Sequence, residues 1–546
     1  MSSASPAAAS TIENDAPVHV TRRARFEILF AVLLGLFLSA LDQTIVGPIL
    51  PRVVTDLRGA DYYTWVVTAY LLTSTVTVPI YGKLSDLYGR RPMLMAGIGL
   101  FLVGSALSGL SQTMWQLILF RAIQGLGAGA LFPISLAVIG DLFSPAERGK
   151  YQGLFGAVFG VAFLVGPGLG GFLTDTFSWH WVFYVNLPIG LLALTVIWRL
   201  LPSVRRPGPR PAIDWLGVAT FSAGVVPILI GLTNAQSGNW SDPRVWGLLL
   251  VGFAFGVVFI WVESRAREPM IPLDLFRIRT FAVSMVSVFL AMFGFFSAVI
   301  FLPLWFQVVK GASATASGYD LLPFLFGLIG SSIVAGQVVS RTGRYKWLTS
   351  ASLLVAAIGL LLLTNVRAET PVPLLWTWMF MMGIGIGPTM AVFTIIVQNA
   401  VPFSKLGAAT ADLTLFRQIG GTVGLTLGFT LFRGNLNWDL IRQQLMANGL
   451  PSGFVPVAAP AGFDPGALTQ VGSGAAGTLS QVPPQFRAAF ATAFHEAFSI
   501  ALANALWLGV GAMALAVIST LLLHELPLRR QVPGQAEQRG AMPAFE

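Results

Sequence analysis

The sequence predicts an all-α membrane protein of fourteen transmembrane helices, arranged as two parallel six-helix halves with two further helices inserted between them. Three observations predict this. The 546-residue chain is 55% hydrophobic and only 10% charged, with a mean hydropathy of +0.74, whereas an ordinary soluble domain is about 25% charged. It contains fourteen stretches that can each supply the ~20 apolar residues needed to cross a bilayer. A pattern at residues 82–90 also returns 254 positions later in unbroken register.

The rest of the composition fits a polytopic membrane protein. The 58 Gly and 33 Pro suit a membrane protein, since both residues are commoner in membrane helices than in soluble ones. With no Cys, disulfides, thiol catalysis and thiolate metal sites are excluded. The net charge of +9 is spread between apolar spans rather than gathered in one patch or along one helix face as nucleic-acid binding requires, so nucleic acid is not an expected partner. No P-loop is present, and His19, His180, His495 and His524 are too scattered to hold a metal. The sequence therefore points away from an enzyme and away from any cofactor.

In chain order, residues 1–25 read as a cytoplasmic tail rich in Ser and Ala, ending in the basic Thr21 to Arg25. The first apolar stretch is too long for the core of a cleaved signal peptide and reads as a signal anchor. Spans are expected near 26–50, 62–82, 92–111, 115–141, 151–174 and 181–201, which form the N-terminal half. Residues 202–279 form a linker carrying two inserted spans, near 213–233 and 244–263. The C-terminal half, 280–524, has spans near 280–308, 318–340, 347–366, 372–400, 406–432 and 492–523, and residues 525–546 form a second tail. The one long loop, 433–491, is rich in Gly, Pro, Ala and Gln and reads as an external lid or connection, with a short amphipathic helix near Trp438 to Met446.

An even number of spans puts both termini on one side. That side carries 23 Lys and Arg and the other 8, with Arg121 and Arg417 inside spans, so the termini are expected in the cytoplasm. The expected setting is the plasma membrane, with the lipid bilayer as surroundings and a monomer as the working unit.

The repeat carries Gly82-Lys83-Leu84-Ser85-Asp86-Leu87-Tyr88-Gly89-Arg90 onto Gly336-Gln337-Val338-Val339-Ser340-Arg341-Thr342-Gly343-Arg344, and Gly153, Gly166 and Gly170 onto Gly407, Gly420 and Gly424. Parallel repeats about an axis along the membrane normal are a transporter architecture, with the binding site between the halves near the midplane. A membrane sensor or a passive pore would account for the spans but not for the repeat or the buried charges.

Those charges are the candidate site. Asp42 lies between the apolar runs Ile28 to Leu41 and Ile45 to Leu50. An ionisable residue at that depth costs roughly 2.5 to 3.5 kcal/mol to insert, and such residues line bundle interiors and proton paths. At 1.5 Å rise per residue, Asp42 is roughly 12 Å below Leu50 and Arg121 roughly 9 Å below Trp115, both measured from the same membrane face, so the two share a layer. An Arg keeps its charge while a carboxylate can gain or lose a proton. Adding 254 to these positions lands on Phe296 and Leu375, so the second half lacks the pair and has Asp412 and Arg417 instead. Five residues apart, these point about 140° from each other around a helix. Arg417 therefore needs a partner from another helix or a bound anion, and both residues are candidates for substrate contact or coupling.

Gly82 to Pro92 resembles the loop signature of the major facilitator superfamily between its second and third helices. Its glycines Gly82 and Gly89 allow a tight turn, Arg90 and Arg91 hold the positive side in the cytoplasm, and Asp86 can pair with a cation or a helix N-terminus that moves away during rocking. Three further matches resemble the fourteen-span drug:proton antiporters of that superfamily. Leu41 to Pro51 is similar to their first-helix motif, with Gly47 and Pro48 where Asn and a small apolar residue are more usual. Leu117 to Ala128 matches their fourth-helix motif, with Arg121 at its arginine. Gly153 to Gly171 resembles their fifth-helix motif, in which Gly153, Gly166, Pro167, Gly170 and Gly171 give a small-residue surface for close helix approach and Ala162 replaces one glycine. Trp179 to Gly190 is also similar, with His180 where Arg is typical, and His180 reads as an exposed loop residue without a role. The resemblance implies a proton-driven exporter of small amphipathic compounds in which Asp42 couples to protons, and a dedicated exporter of one endogenous metabolite or antibiotic is the alternative within transport. Trp305, Phe306, Trp376 and Trp378 suit flat lipophilic cargo, and equally lipid contact and interfacial anchoring.

Overall fold

The computed structural model describes residues 21–58, 62–143, 145–202, 213–235, 240–448 and 487–528. Residues 1–20 and 529–546 of the tails and residues 449–486 of the long loop, on which the lid reading falls, lie outside the described residues, while Arg22 to Arg25 of the expected tail already belong to α1. The spans follow the apolar stretches closely. They are α1 (Arg22–Asp56), α2 (Tyr63–Tyr88), α3 (Arg90–Gly109), α4 (Met114–Leu142), α5 (Pro145–Thr176), the broken pair α6 (Trp181–Tyr184) and α7 (Asn186–Leu200), α8 (Trp215–Ala235) and α9 (Pro243–Glu263). The second half continues with α10 (Arg279–Val299), α11 (Phe301–Val309), α12 (Ala314–Tyr319), α13 (Leu322–Thr342), α14 (Lys346–Leu363), α15 (Val372–Ala400), α16 (Leu406–Asn435), α17 (Trp438–Ala447) and α18 (Arg487–Leu521).

Thirteen helical stretches among the described residues are long and apolar enough to cross a membrane, with α6 and α7, α10 and α11, and α12 and α13 each joined as one. The fourteenth expected span is α16, which is 30 residues long but carries Asp412, Arg417 and Arg433 and so falls short on hydropathy. Its neighbours explain how so polar a helix persists in hydrocarbon. It packs against α10, α2, α18 and α4, with Leu406 to Leu415 buried without a break. Every charged side chain it holds at depth is screened from lipid by protein.

Local sequence sets the helix ends. The Thr113 hydroxyl accepts the Gln116 N–H at 3.3 Å at the start of α4, and the Asp242 carboxylate accepts the Arg244 N–H at 2.8 Å at the start of α9, where Pro243 takes the first-turn position that has no donor to lose. Gly89, at φ 96°, makes the one-residue turn from α2 to α3 that a side chain would strain. The short amphipathic helix expected in the long loop is α17, seated on α18 through Trp438, Ile441 and Leu445.

The two halves repeat one contact scheme. In the first, α2 and α3 pack on α4, α5 and α7 pack on α1, and α7 packs on α3. In the second, α13 and α14 pack on α15, α16 and α18 pack on α10, and α18 packs on α14. The halves meet along two seams, α2 against α16 and α5 against α13, which exchange under the 254-residue offset. The inserted α8 and α9 form a hairpin that leans on α2 and α16 from outside, and α9 exposes Leu250, Phe253, Val257 and Ile260. Below, the face on which α1 starts and α18 ends is called the terminal face.

Aromatic residues near the spans divide differently from the expectation of cargo or lipid contact. Trp305 and Phe306 are fully buried core residues, and the Trp305 indole N–H donates to Ser499 Oγ at 2.9 Å. Trp376 remains partly exposed and donates to Asp320 Oδ1 at 3.2 Å.

Candidate functional site

The structure brings Asp42 and Arg121 together. Arg121 Nη1 lies 2.6 Å from Asp42 Oδ2, with Asp42 fully buried and Arg121 nearly so. The same Nη1 donates to Gln124 Oε1 at 2.8 Å, which fixes the amide so that Gln124 Nε2 donates to Asp42 Oδ1, also at 2.8 Å. Asn186 Nδ2 donates to Asp42 Oδ1 at 3.2 Å and to Ser105 Oγ at 3.0 Å. The guanidinium carbon stands 4.3 Å above the Tyr70 ring, a cation–π contact. Three donors from α4 and α7 thus converge on one carboxylate of α1.

Sequence reading missed Gln124, Asn186 and Tyr70. Gln124 had a signal, because it is one turn from Arg121 on the same face of α4. Asn186 had only the fact of being a lone amide in the apolar start of a span.

A second cluster closes the terminal face. The Asp86 carboxylate accepts the backbone N–H groups of Gly407 at 3.0 Å and Ala408 at 2.8 Å, at the N-terminus of α16 across the seam. Free N–H groups at a helix start favour a negative charge. Arg90 Nη1 pairs with Asp86 at 2.6 Å, Arg90 Nε with Asp141 at 2.9 Å, and Arg90 also donates to Ser85. Asp86 therefore meets both a cation and a helix N-terminus. Arg91 is half-buried and makes no ion pair among the described residues. Gly82 lets the seam close, since a Cβ there would overlap the Ala411 methyl and come within 2.9 Å of the Gly407 carbonyl.

Along α5 the small residues face two different partners. Gly153 lies against Ser332 and Ile333 of α13, where a Cβ would come within 2.8 Å of the Ile333 Cα. Gly166 and Gly170 face Thr44 and Ile45 of α1, one turn from Asp42, and Thr44 Oγ1 donates to the Ala162 carbonyl at 2.9 Å. Pro167 is half-buried between these glycines. Gly171 is a correction to the expected small-residue surface: nothing comes within 4 Å of a Cβ built there, so it takes no part in close approach. His180 is half-buried rather than exposed, stacked on Trp179 and hydrogen-bonded to Ser178, and burial lowers its pKa below the ordinary histidine value.

Asp412 and Arg417 are both buried and do not meet each other, as their angular separation requires. Arg417 Nη2 donates to the Thr389 and Met390 carbonyls at 3.0 Å each and to Thr394 Oγ1 at 3.3 Å, beside Pro388 of α15. Its partner is thus backbone, and Nε and Nη1 remain without one. Neither Asp412 oxygen has a hydrogen-bond partner.

Comparison with known proteins gives the family of the chain. A sequence profile described as Major Facilitator Superfamily matches residues 32–425. The chain is 36% identical to the Multidrug transporter protein MdtP of Bacillus subtilis over 538 residues, covering 95% of this chain and 97% of that one. It is 36% identical to Multidrug resistance protein 3 of the same organism, covering 84% and 87%. A crystal structure of the human organic anion transporter MFSD10 superposes with a TM-score of 0.58 at 15% identity, covering 90% of this chain and 99% of that one, which is a likeness of fold. The coverage leaves no large part of the chain unaccounted for, and the chain belongs to the major facilitator superfamily, among its multidrug efflux transporters.

Proposed function

We propose that this transporter exchanges inward-moving protons for outward-moving amphipathic compounds across the plasma membrane, with both termini in the cytoplasm and a monomer as the working unit. The observation that carries the reading is the setting of Asp42, one carboxylate facing three donors deep in the bundle. A proton taken on the second lone pair of Oδ2 would cancel the charge that holds the Arg121, Gln124 and Asn186 donors, freeing α1 to shift against α4 and α7. Proton binding and helix movement are thereby linked, which is what exchange needs. Asp86 and Arg90 serve as the conformational switch at the terminal face, and the glycines of α5 keep the bundle sealed beside Asp42. Asp412, buried without partners, is the second carboxylate positioned to meet a cationic cargo or a proton, and Arg417 braces α16 on α15 beside it.

The test is transport of a fluorescent lipophilic cation into or out of proteoliposomes, with and without an imposed pH gradient. Accumulation against the cargo gradient only when protons flow the other way supports exchange. Equal rates with and without the pH gradient would overturn it.

A further inference from the structure

The inserted hairpin ends at the terminal face in two carboxylates that the exchange reading does not use. Asp214 caps α8, with Oδ1 accepting the Gly217 N–H at 2.8 Å. Glu263, the last residue of α9, is only 2% exposed, and its Oε1 accepts the Ile271 N–H. The other two oxygens, Asp214 Oδ2 and Glu263 Oε2, have no hydrogen-bond partner. Both lie over Gly217: a Cβ there would stand 2.9 Å from Glu263 Oε2 and closer still to Asp214 Oδ2.

Among the described residues, neither oxygen has a cation as partner. From α16 the Asp412 carboxylate, itself unpartnered, is within electrostatic reach of Glu263. Asp86 of α2 lies beyond, engaged by Arg90. Lys83 of α2 is taken by Glu268 at 2.7 Å, and Lys405 ahead of α16 is taken by Asp274. Arg265 lies over the Trp261 ring. Two carboxylates meeting over one glycine disfavour each other's charge. One proton held between Asp214 Oδ2 and Glu263 Oε2 removes the repulsion and satisfies both oxygens.

What this pair anchors is residues 264–278, the stretch from α9 to α10. Met270 and Ile271 are buried with Phe221 and Phe259 of the hairpin and Leu415 of α16, and Phe276 lies 6.0 Å from Phe416. Through Glu268 to Lys83 and Asp274 to Lys405, the stretch is bonded to both sides of the seam that Asp86 closes.

We propose that Asp214 and Glu263 bind a single proton between them, and that the protonated pair holds residues 264–278 as a strap across the α2 and α16 seam, so that losing the proton loosens the strap. The sign follows from the charge. At low pH the proton is bound and the strap is closed; as pH rises, two adjacent negative charges, with Asp412 near them, push Glu263, and with it the Ile271 N–H that it holds, away from Asp214 and α8.

The test uses the full chain, which is free of Cys, in lipid nanodiscs, with spin labels on Arg267→Cys in the strap and Pro92→Cys at the start of α3. With Asp214 and Glu263 intact, a longer distance absent at pH 6 is expected to grow in as pH is raised to 9. In E263Q, and separately in D214N, the neutral amide keeps the hydrogen bonds, and the short distance is expected at every pH. Asn also remains a good helix cap, so D214N preserves α8 if E263Q proves unstable. Identical distances at pH 6 and pH 9 in the intact pair, or a pH response that survives in both variants, would overturn the proposal. No cargo or gradient is present, so the result stands or falls independently of the exchange reading.

Discussion

Asp86 on α2 accepts the backbone N–H of Gly407 at 3.0 Å, a bond that crosses from one half of the transporter to the other. Its strength comes from the helix start behind it, because the N-terminus of α16 presents free N–H groups and a positive dipole end to a full negative charge. This bond can form only while α2 and α16 are in contact.

Asp86→Asn keeps the shape and removes the charge. The loss should be about 1 to 2 kcal/mol, shifting the balance between closed and open terminal faces roughly five- to thirtyfold. Faster thiol labelling of a Cys placed at Ala411, which the closed seam buries against Gly82, measures the shift. Unchanged labelling would show that the bond does not govern closure.

For the buried acid, Asp42→Asn should leave the protein folded and inserted but abolish proton-driven export, while Asp42→Glu should retain part of it. Arg121→Gln alone strips a buried carboxylate of its cation and should destabilise by about 3 to 5 kcal/mol. If the double variant with both Asp42→Asn and Arg121→Gln regains pumping against a gradient, the pair is scaffold and Asp42 carries no proton.

Arg417→Ala should weaken the contact of α16 with α15, lowering the thermal midpoint of purified protein along with transport. Arg417→Lys should keep much of both, because a backbone carbonyl does not need the two-pronged geometry a carboxylate would exploit. Full stability and transport of the Ala variant would show that the three bonds to Thr389, Met390 and Thr394 brace nothing.

Gly166→Val would force a branched side chain into Thr44 next to the buried acid. Overfilling such a contact costs about 1 to 3 kcal/mol, and the displacement of α1 should depress transport more than expression. Gly171→Val, at a position open to 4 Å, is the matched control and should be near neutral in both assays.

For topology, a Cys at position 470 should react with a membrane-impermeant thiol reagent added outside intact cells. Reaction only after the inner side is exposed would reverse the orientation assigned to both termini.

The spans were legible because hydrocarbon thickness imposes a length, and a helix rises by a fixed step, so residue counts became depths. That same step placed Asp42 and Arg121 in one layer before any contact was known. Gln124 and Asn186 were harder to see, since neutral amides carry no insertion penalty large enough to mark them. The partner of Arg417 was beyond reach for a plainer reason: it is backbone, which every residue has. The Asp214 and Glu263 pair was hidden by distance in sequence and by its position at span ends, where carboxylates are ordinary.

Under the 254-residue offset Asp86 maps onto Ser340, whose hydroxyl turns back to the Gly336 carbonyl at 2.8 Å. At the opposite seam the Gly336 backbone lies directly against the Gly149 backbone. Salt, pH and a passing cation therefore have a charged bond to act on at Asp86, and none at Ser340, which takes its place in the other half.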